Sequence, residues 1–344
     1  MILKTDRGDA GRRIDLVLRR HLAGVGVATR TRIQDWIEAG HVSVNGAAVR
    51  RVSTRTAVGD VIAVALPVEA ARQPMEVEQV PLRILHEDDH LLAVDKPSGI
   101  VSHPTHAHKS GTLMNALLWH ARRWPAGQRP SLVGRLDKLT SGIVLVAKTP
   151  EVHSALQRGK IEKDYLALVY GRSIPDRGAI DLRLARDRSD RRRVAASESV
   201  GAPSVTQFER LARVPAPRVG LALLRCRLVT GRTHQIRVHL AARGWPIVGD
   251  PVYGEPLWPR IVDRPIGEAL AALRRQALHA WRLGMAHPVT GSAIEITAPL
   301  PDDLMAIMSI ARLIHPGIAS GLPDAAGLTR GQMTSIRKAK RGET

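Results

Sequence analysis

The chain has 344 residues, 44% of them hydrophobic, which is enough for two domains, one with a sizeable core. Against 32 Asp and Glu stand 51 Lys and Arg, and the formal net charge of +19 favours a polyanionic partner, nucleic acid first. The lone cysteine, Cys226, excludes an internal disulfide framework and a thiolate zinc cage.

Aromatic residues make up only 3%, so Ala, Val, Leu and Ile must build the core. No apolar stretch reaches the length of a membrane span, and Met1-Ile2-Leu3-Lys4-Thr5-Asp6 lacks an apolar signal core, so a cytoplasmic protein is expected.

At the N-terminus, Ile14, Val17, Leu18 and Leu22 recur at helical spacing among Arg12, Arg13, Arg19 and Arg20. Thr29 or Thr31 is a candidate cap for a second helix whose apolar face is Ile33, Trp36 and Ile37, closed by Gly40. Val42 and Val44 then alternate into Asn45-Gly46, a strong hairpin signal, and Val61 to Leu66 reads as a further strand. Two short basic helices followed by these small strands resemble the S4 RNA-binding domain over about residues 12 to 66. The resemblance implies that Arg30 and Arg32 face RNA; each, taken singly, also fits a solvated helix face. An S4-like domain is therefore expected over 1–66. Residues 67–82, with Pro67, Pro74 and Pro81 and no periodicity, read as a linker.

The segment from 83 to 305 is strand-rich. Leu82 to Val94 reads as strand, acidic turn and strand, running into the turn Asp95-Lys96-Pro97-Ser98-Gly99. Ile143 to Ala147 is wholly apolar and β-branched, as a buried strand would be, and Leu166 to Tyr170 and Leu221 to Leu228 are further strands. Cys226 falls inside the last of these, where a small buried residue fits. Helices are expected near Thr112–Ala121, Glu151–Arg158, Thr233–Ala242 and Asp302–Ile314. Irregular interleaving of strands and helices predicts α+β rather than a doubly wound fold. Residues 306–344 read as an extension whose end, Arg337-Lys338-Ala339-Lys340-Arg341, is mobile and basic.

Three clusters carry candidate chemistry. Arg135-Leu136-Asp137 precedes Thr140-Ser141-Gly142 and a buried strand, so Asp137 needs donors to stay ionised. On these residues alone, a turn whose Asp accepts backbone hydrogen bonds serves as well as a catalyst. In Thr230-Gly231-Arg232-Thr233-His234-Gln235-Ile236-Arg237-Val238-His239-Leu240, no carboxylate or thiolate accompanies the histidines, which favours phosphate contact or a distant carboxylate over metal. Tyr165, heading a strand after Glu162-Lys163-Asp164, is either a half-buried strand tyrosine or a platform for a base.

In order along the chain, these motifs resemble the RluA-type pseudouridine synthase family over residues 82 to about 300. The matches are Gly134 to Lys148, Lys163 to Gly171, and Gly231 to Leu240 followed by Gly249-Asp250-Pro251-Val252-Tyr253-Gly254. Lys96-Pro97-Ser98-Gly99 with His103-Pro104, and Leu278-His279-Ala280 with His287-Pro288, support them. The resemblance implies a mixed, mostly antiparallel central sheet and RNA-uridine isomerisation after base flipping. Asp137 would be the nucleophile, Arg237 its ion-pair partner, Tyr165 the ring stacked on the flipped uracil, and Arg135 the side chain that fills the vacated stack. Arg232 and His234 are expected at the RNA. Gly134 departs from the family, which usually carries His there, and Met285 stands where Phe is usual.

His103, His106 and His108 read as a surface loop rather than a ligand set. The arginines between Arg183 and Arg193 are equally compatible with a solvated loop and an RNA-gripping insertion. No cofactor, metal, membrane or protein partner is expected, and the chain should act as a monomer. Structured RNA is the expected substrate, ribosomal first and transfer RNA second. A non-catalytic RNA-binding or ribosome-assembly factor on the same fold is the alternative from a different class.

Overall fold

The structure, a computed structural model, describes residues 1–22, 28, 30–65, 75–105, 108–187, 189–190, 193–215 and 219–314. The chain divides into two compact units, Met1–Pro74 and Met75–Thr344, each taken by itself.

In the first unit, a four-stranded sheet of order β1-β4-β2-β3 is built from β1 (Ile2–Lys4), β2 (Val42–Val44), β3 (Ala47–Val49) and β4 (Val61–Val64). Helix α1 (Ile14–His21) buries Ile14, Val17 and Leu18, and α2 (Arg30–Glu38) buries Ile33, Trp36 and Ile37. These side chains pack with Leu22, Val42, Ile62 and Val64 into one core, each large aliphatic contributing roughly 1.5–3 kcal/mol. Asn45 and Gly46, at φ 50° and 85°, form the tight turn between β2 and β3 that the Asn-Gly pair predicts. Thr31 lies inside α2 and caps nothing, because the helix starts one residue earlier; Thr29 and Leu66 fall outside the described residues.

The second unit is a ten-stranded mixed sheet with helices packed around it. Its elements are β5 (Ile84–Glu87), β6 (Leu91–Lys96), α3 (Leu113–His120), β7 (Ser131–Leu132), β8 (Ser141–Ala147), α4 (Pro150–Arg158), β9 (Ile161–Tyr170) and β10 (Arg177–Asp181). There follow β11 (Arg183–Arg186), β12 (Val194–Ser197), β13 (Val205–Val214), β14 (Leu221–Leu228), α5 (Gln235–Ala242), α6 (Arg264–Ala272), β15 (Leu278–Ala286), β16 (Ala293–Thr297) and α7 (Asp302–Ile310). The order is β10-β13-β14-β9-β15-β8-β6-β5, with β16 beside β15 and β7 beside β8. Every pairing is antiparallel except β15 with β8. The fold is thus α+β, as expected.

All seven residues of β8 are buried because both faces of the sheet are covered. Ile143, Leu145 and Ala147 join one apolar cluster with α4, while Val144 and Val146 join another with α3, the period-2 alternation of a strand. Where β8 meets β15, Gly142 takes φ 110°, and a Cβ there would fall 2.2 Å from the Ala280 carbonyl oxygen. Only glycine permits that approach.

Cys226 lies buried opposite Tyr165 in the sheet, with its thiol pushed up to about 12 by burial, a core position. Of the arginine-rich stretch, Arg183 and Arg186 lie on β11, which pairs antiparallel with β12; Arg188, Arg191 and Arg192 lie outside the described residues, as do His106 and the basic end beyond residue 314. Residues 75–82 lie against α3: Asn115 Nδ2 donates to the Glu76 carbonyl at 2.7 Å, and Gly111 N to Glu78 Oε1 at 2.8 Å. No helix among the described residues is long and apolar enough to cross a membrane.

Candidate active site

Asp137 sits on the loop between β7 and β8. Gly134 turns this loop at φ 92°, in the left-handed region that L side chains resist, and a Cβ there would come within 3.2 Å of Lys163 Nζ. A histidine at this position would need a different backbone, which gives the departure at Gly134 a local reason.

The carbonyls of the loop are bracketed from one side by the turn after β6. Ser102 Oγ donates to the Leu136 carbonyl at 3.1 Å and Ser98 Oγ to Leu139 at 2.9 Å. Lys96 Nζ and Gly99 N both donate to the Lys138 carbonyl, at 3.2 and 2.8 Å. The Lys96 side chain is fully buried, and its remaining protons go to the carbonyls of Pro97 and Ile100, both at 2.9 Å. Burial pulls Lys96 down to about 8, against the opposing pull of the nearby Asp137 carboxylate. From the other side, Gln276 Nε2 donates to Thr140 Oγ1 at 3.0 Å and Arg275 Nη1 to Ser141 Oγ at 3.3 Å. The two hydroxyls beside Asp137 therefore anchor the loop and make no bond to the carboxylate.

Asp137 is no ordinary capped turn. Its backbone carbonyl accepts from Thr140 N at 3.1 Å, whereas its carboxylate accepts no backbone N–H among the described residues. Instead Oδ2 accepts from Arg237 Nη1 at 2.8 Å, and Oδ1 lies 3.8 Å from His234 Nε2.

Arg237 projects from α5, whose start is locked by Gln235. Its Oε1 accepts from Thr230 Oγ1 and Arg232 N, and its Nε2 donates to the Val205 carbonyl and Thr206 Oγ1. The helix begins after His234, two residues later than the sequence predicts, with His234 itself at φ 56°. The Arg237 guanidinium is buried and holds a second carboxylate bidentately: Nε to Asp250 Oδ2 at 2.7 Å and Nη2 to Asp250 Oδ1 at 2.9 Å. Asp250 also accepts from Val252 N and Tyr253 N, at 2.9 and 3.1 Å. Burial opposes charge on both partners, but their mutual hydrogen bonds prevail, holding Asp250 below the usual carboxylate range and Arg237 above its ordinary value.

On β9, Lys163 and Tyr165 lie two residues apart and so share a face, while Asp164 turns the other way to Arg227. Tyr165 is buried in mid-strand; burial, then the Asp137 charge, raises its phenol, which stays protonated at neutral pH. Burial lowers Lys163. Asp137, Tyr165, Arg237, Arg135, Arg232 and His234 line one cavity of about 130 Å³ that opens to solvent. That is the scale of a six-membered ring, since benzene fills an engineered cavity of about 150 Å³. Arg30 and Arg32 belong to α2 of the first unit.

Asp250, Tyr253, Lys96 and Lys163 stand inside the matched motifs but carry no role in a residue-by-residue reading. For Asp250, the available signal was physical: a buried arginine beside one reactive carboxylate invites a second. The other three had none.

A carboxylate with one oxygen tied by a buried arginine, lining a ring-sized, arginine-rimmed cavity in a strongly basic chain, fits an enzyme that handles a nucleobase. Comparisons with known proteins carry this further. Residues 90–242 match the RNA pseudouridylate synthase family model and residues 12–62 the S4 domain. Ribosomal large subunit pseudouridine synthase D of Nitrosomonas europaea is 40% identical over 91% of this chain and 88% of its own length. The Pseudomonas aeruginosa protein of that name is 38% identical over 83% of this chain and 88% of its own length. Human RNA pseudouridylate synthase domain containing 4 superposes with a TM-score of 0.53 at 23% identity, covering 67% of this chain and 93% of that one, a likeness of fold. The chain belongs to the RluA-type pseudouridine synthases, with an S4 domain before the catalytic domain.

Proposed function

We propose that this enzyme converts uridine to pseudouridine in ribosomal RNA of the large subunit, with Asp137 as the nucleophile toward the target nucleotide. The reaction breaks the bond from N1 to C1′, joins C5 to C1′, releases the C5 proton and returns a proton to N1. Atoms and electrons balance within the substrate and water, so the residues need only flip, hold and attack.

The observation that carries the reading is the asymmetry at Asp137. Arg237 keeps Oδ2, Oδ1 accepts no hydrogen bond among the described residues, and Asp137 lines the cavity. Tyr165 supplies the apolar face on which the flipped uracil stacks, and its protonated phenol suits a hydrogen-bond donor. Arg135, exposed on the loop beside Asp137, takes the place that the base leaves in the stack. Arg232 and His234 at the rim, and Arg30 and Arg32 on the S4 unit, meet RNA. Two relatives named for the ribosomal large subunit, each aligned over most of its length, support that substrate. The enzyme acts as a monomer in the cytoplasm.

Purified chain is incubated with large-subunit ribosomal RNA transcribed with tritium at uridine C5, and tritium released to water is counted. Release from this transcript but not from mixed transfer RNA transcripts is expected; release from transfer RNA alone would overturn the substrate, and release from neither would overturn the reading.

A further inference from the structure

His234 is tied to the reacting centre through Tyr253. The Tyr253 hydroxyl accepts from Val194 N at 2.8 Å and lies 2.8 Å from His234 Nδ1. With one lone pair engaged, the phenol has a proton to place, and among the described residues its one acceptor is Nδ1. A phenol that donates to Nδ1 sets the neutral ring's tautomer, with the ring proton on Nε2. That is the nitrogen 3.8 Å from Asp137 Oδ1. The rings of His234 and Tyr253 meet edge to face at 5.5 Å, which fixes the imidazole plane as well. Burial, the largest influence on His234, keeps the ring neutral, with Asp137 opposing.

His234 Nε2 makes no hydrogen bond among the described residues; Asp137 Oδ1, 3.8 Å away, is its nearest charged neighbour. Arg237 spends Nη1 on Asp137 and Nε and Nη2 on Asp250. Any atom that Oδ1 attacks lies near His234 Nε2. Negative charge develops on a uracil carbonyl oxygen in either case: through the breaking bond to N1 if the sugar is attacked, and through the forming bond if the ring is. A fixed donor pays no reorganisation when that charge appears.

We propose that His234 is a catalytic hydrogen-bond donor to a uracil carbonyl oxygen, and that Tyr253 is the positioning residue that sets its tautomer. The inference rests on Asp137 being the nucleophile. It also gives the backbone of His234 a purpose, since the left-handed φ of 56° turns the ring toward the cavity before α5 begins.

The test uses the full chain in single-turnover tritium release from the large-subunit transcript, with RNA affinity measured in parallel. His234→Asn suits the site, because Asn tolerates the left-handed backbone and can reach the Tyr253 hydroxyl but not the position of Nε2. It should slow the single-turnover rate about 10²-fold while affinity stays within about threefold. His234→Gln, whose amide nitrogen reaches the Nε2 position, should recover at least about tenfold of that loss. Tyr253→Phe frees the tautomer and should slow the rate about tenfold without weakening binding. The proposal is overturned if His234→Asn weakens affinity and leaves the bound rate unchanged, which would make His234 a phosphate contact. It is also overturned if Asn and Gln are equally slow. Asp137→Asn runs beside them: turnover in that variant would sink the nucleophile reading itself, whereas a dead Asp137→Asn with a normal His234→Asn sinks only the inference.

Discussion

Replacing either carboxylate on Arg237 should separate catalysis from stability. The guanidinium holds Asp137 by one bond and Asp250 by two, with side-chain exposures of 25% and 0%. The trio carries one negative charge more than it needs. Asp137→Asn removes the surplus and leaves Arg237 matched to Asp250, so stability should change by no more than about 1 kcal/mol. Activity should fall on the order of 10³-fold or more.

Asp250→Asn instead leaves an amide N–H against a buried guanidinium and removes the charge that matches it. Breaking such a pair costs about 3–5 kcal/mol. At roughly 2–4 °C per kcal/mol for a unit of this size, the melting temperature should drop by about 6–20 °C. Thermal unfolding of both variants by circular dichroism, with tritium release on the same preparations, checks the contrast. Equal destabilisation by the two substitutions would refute this division of labour, as would an Asp250→Asn variant as stable as the parent.

Burial holds the His279 imidazole down at about 4, below its ordinary 6.5, so the folded state keeps it neutral while the unfolded chain protonates. Its contribution is complete above pH 6.5 and is lost as pH falls toward 4, by about 3 kcal/mol in total. Urea unfolding at successive pH values should show the slope, and His279→Gln should flatten it. Gly142→Ala puts a methyl 2.2 Å from the Ala280 carbonyl oxygen and should cost at least about 3 kcal/mol, read as a shifted urea midpoint. A chain beginning at Met75 should bind RNA more weakly, with the slope of log affinity against log salt reduced by at least about 2; an unchanged slope would remove the S4 unit from RNA contact.

What could be read from sequence follows the range of the forces involved. Helices α1 and α2 and the turn at Asn45-Gly46 declare themselves by local spacing, β8 by a continuous apolar run and β14 by alternation. Strand β13 does not, because its register shifts between Arg210 and Ala212 and breaks the alternation, and β15 is interrupted in the same way between Ala280 and Arg282. The charged start of β9 hides its first four residues, Ile161 to Asp164, whose three charged side chains are matched by Arg227 and by the cavity. Asp137 and Arg237 are 100 residues apart, so no local pattern pairs them, and only resemblance to a family placed them together. The resemblance covers Tyr253 and Lys96 but gives neither a role, because they act through side chains and carbonyls that the fold alone brings near.

The most direct test of the central claim is a pseudouridine map of large-subunit ribosomal RNA from cells with the gene intact, deleted, and restored as Asp137→Asn. At least one site should disappear on deletion, return with the intact gene and stay absent with Asp137→Asn. A map unchanged by deletion, or one restored by Asp137→Asn, would contradict the account.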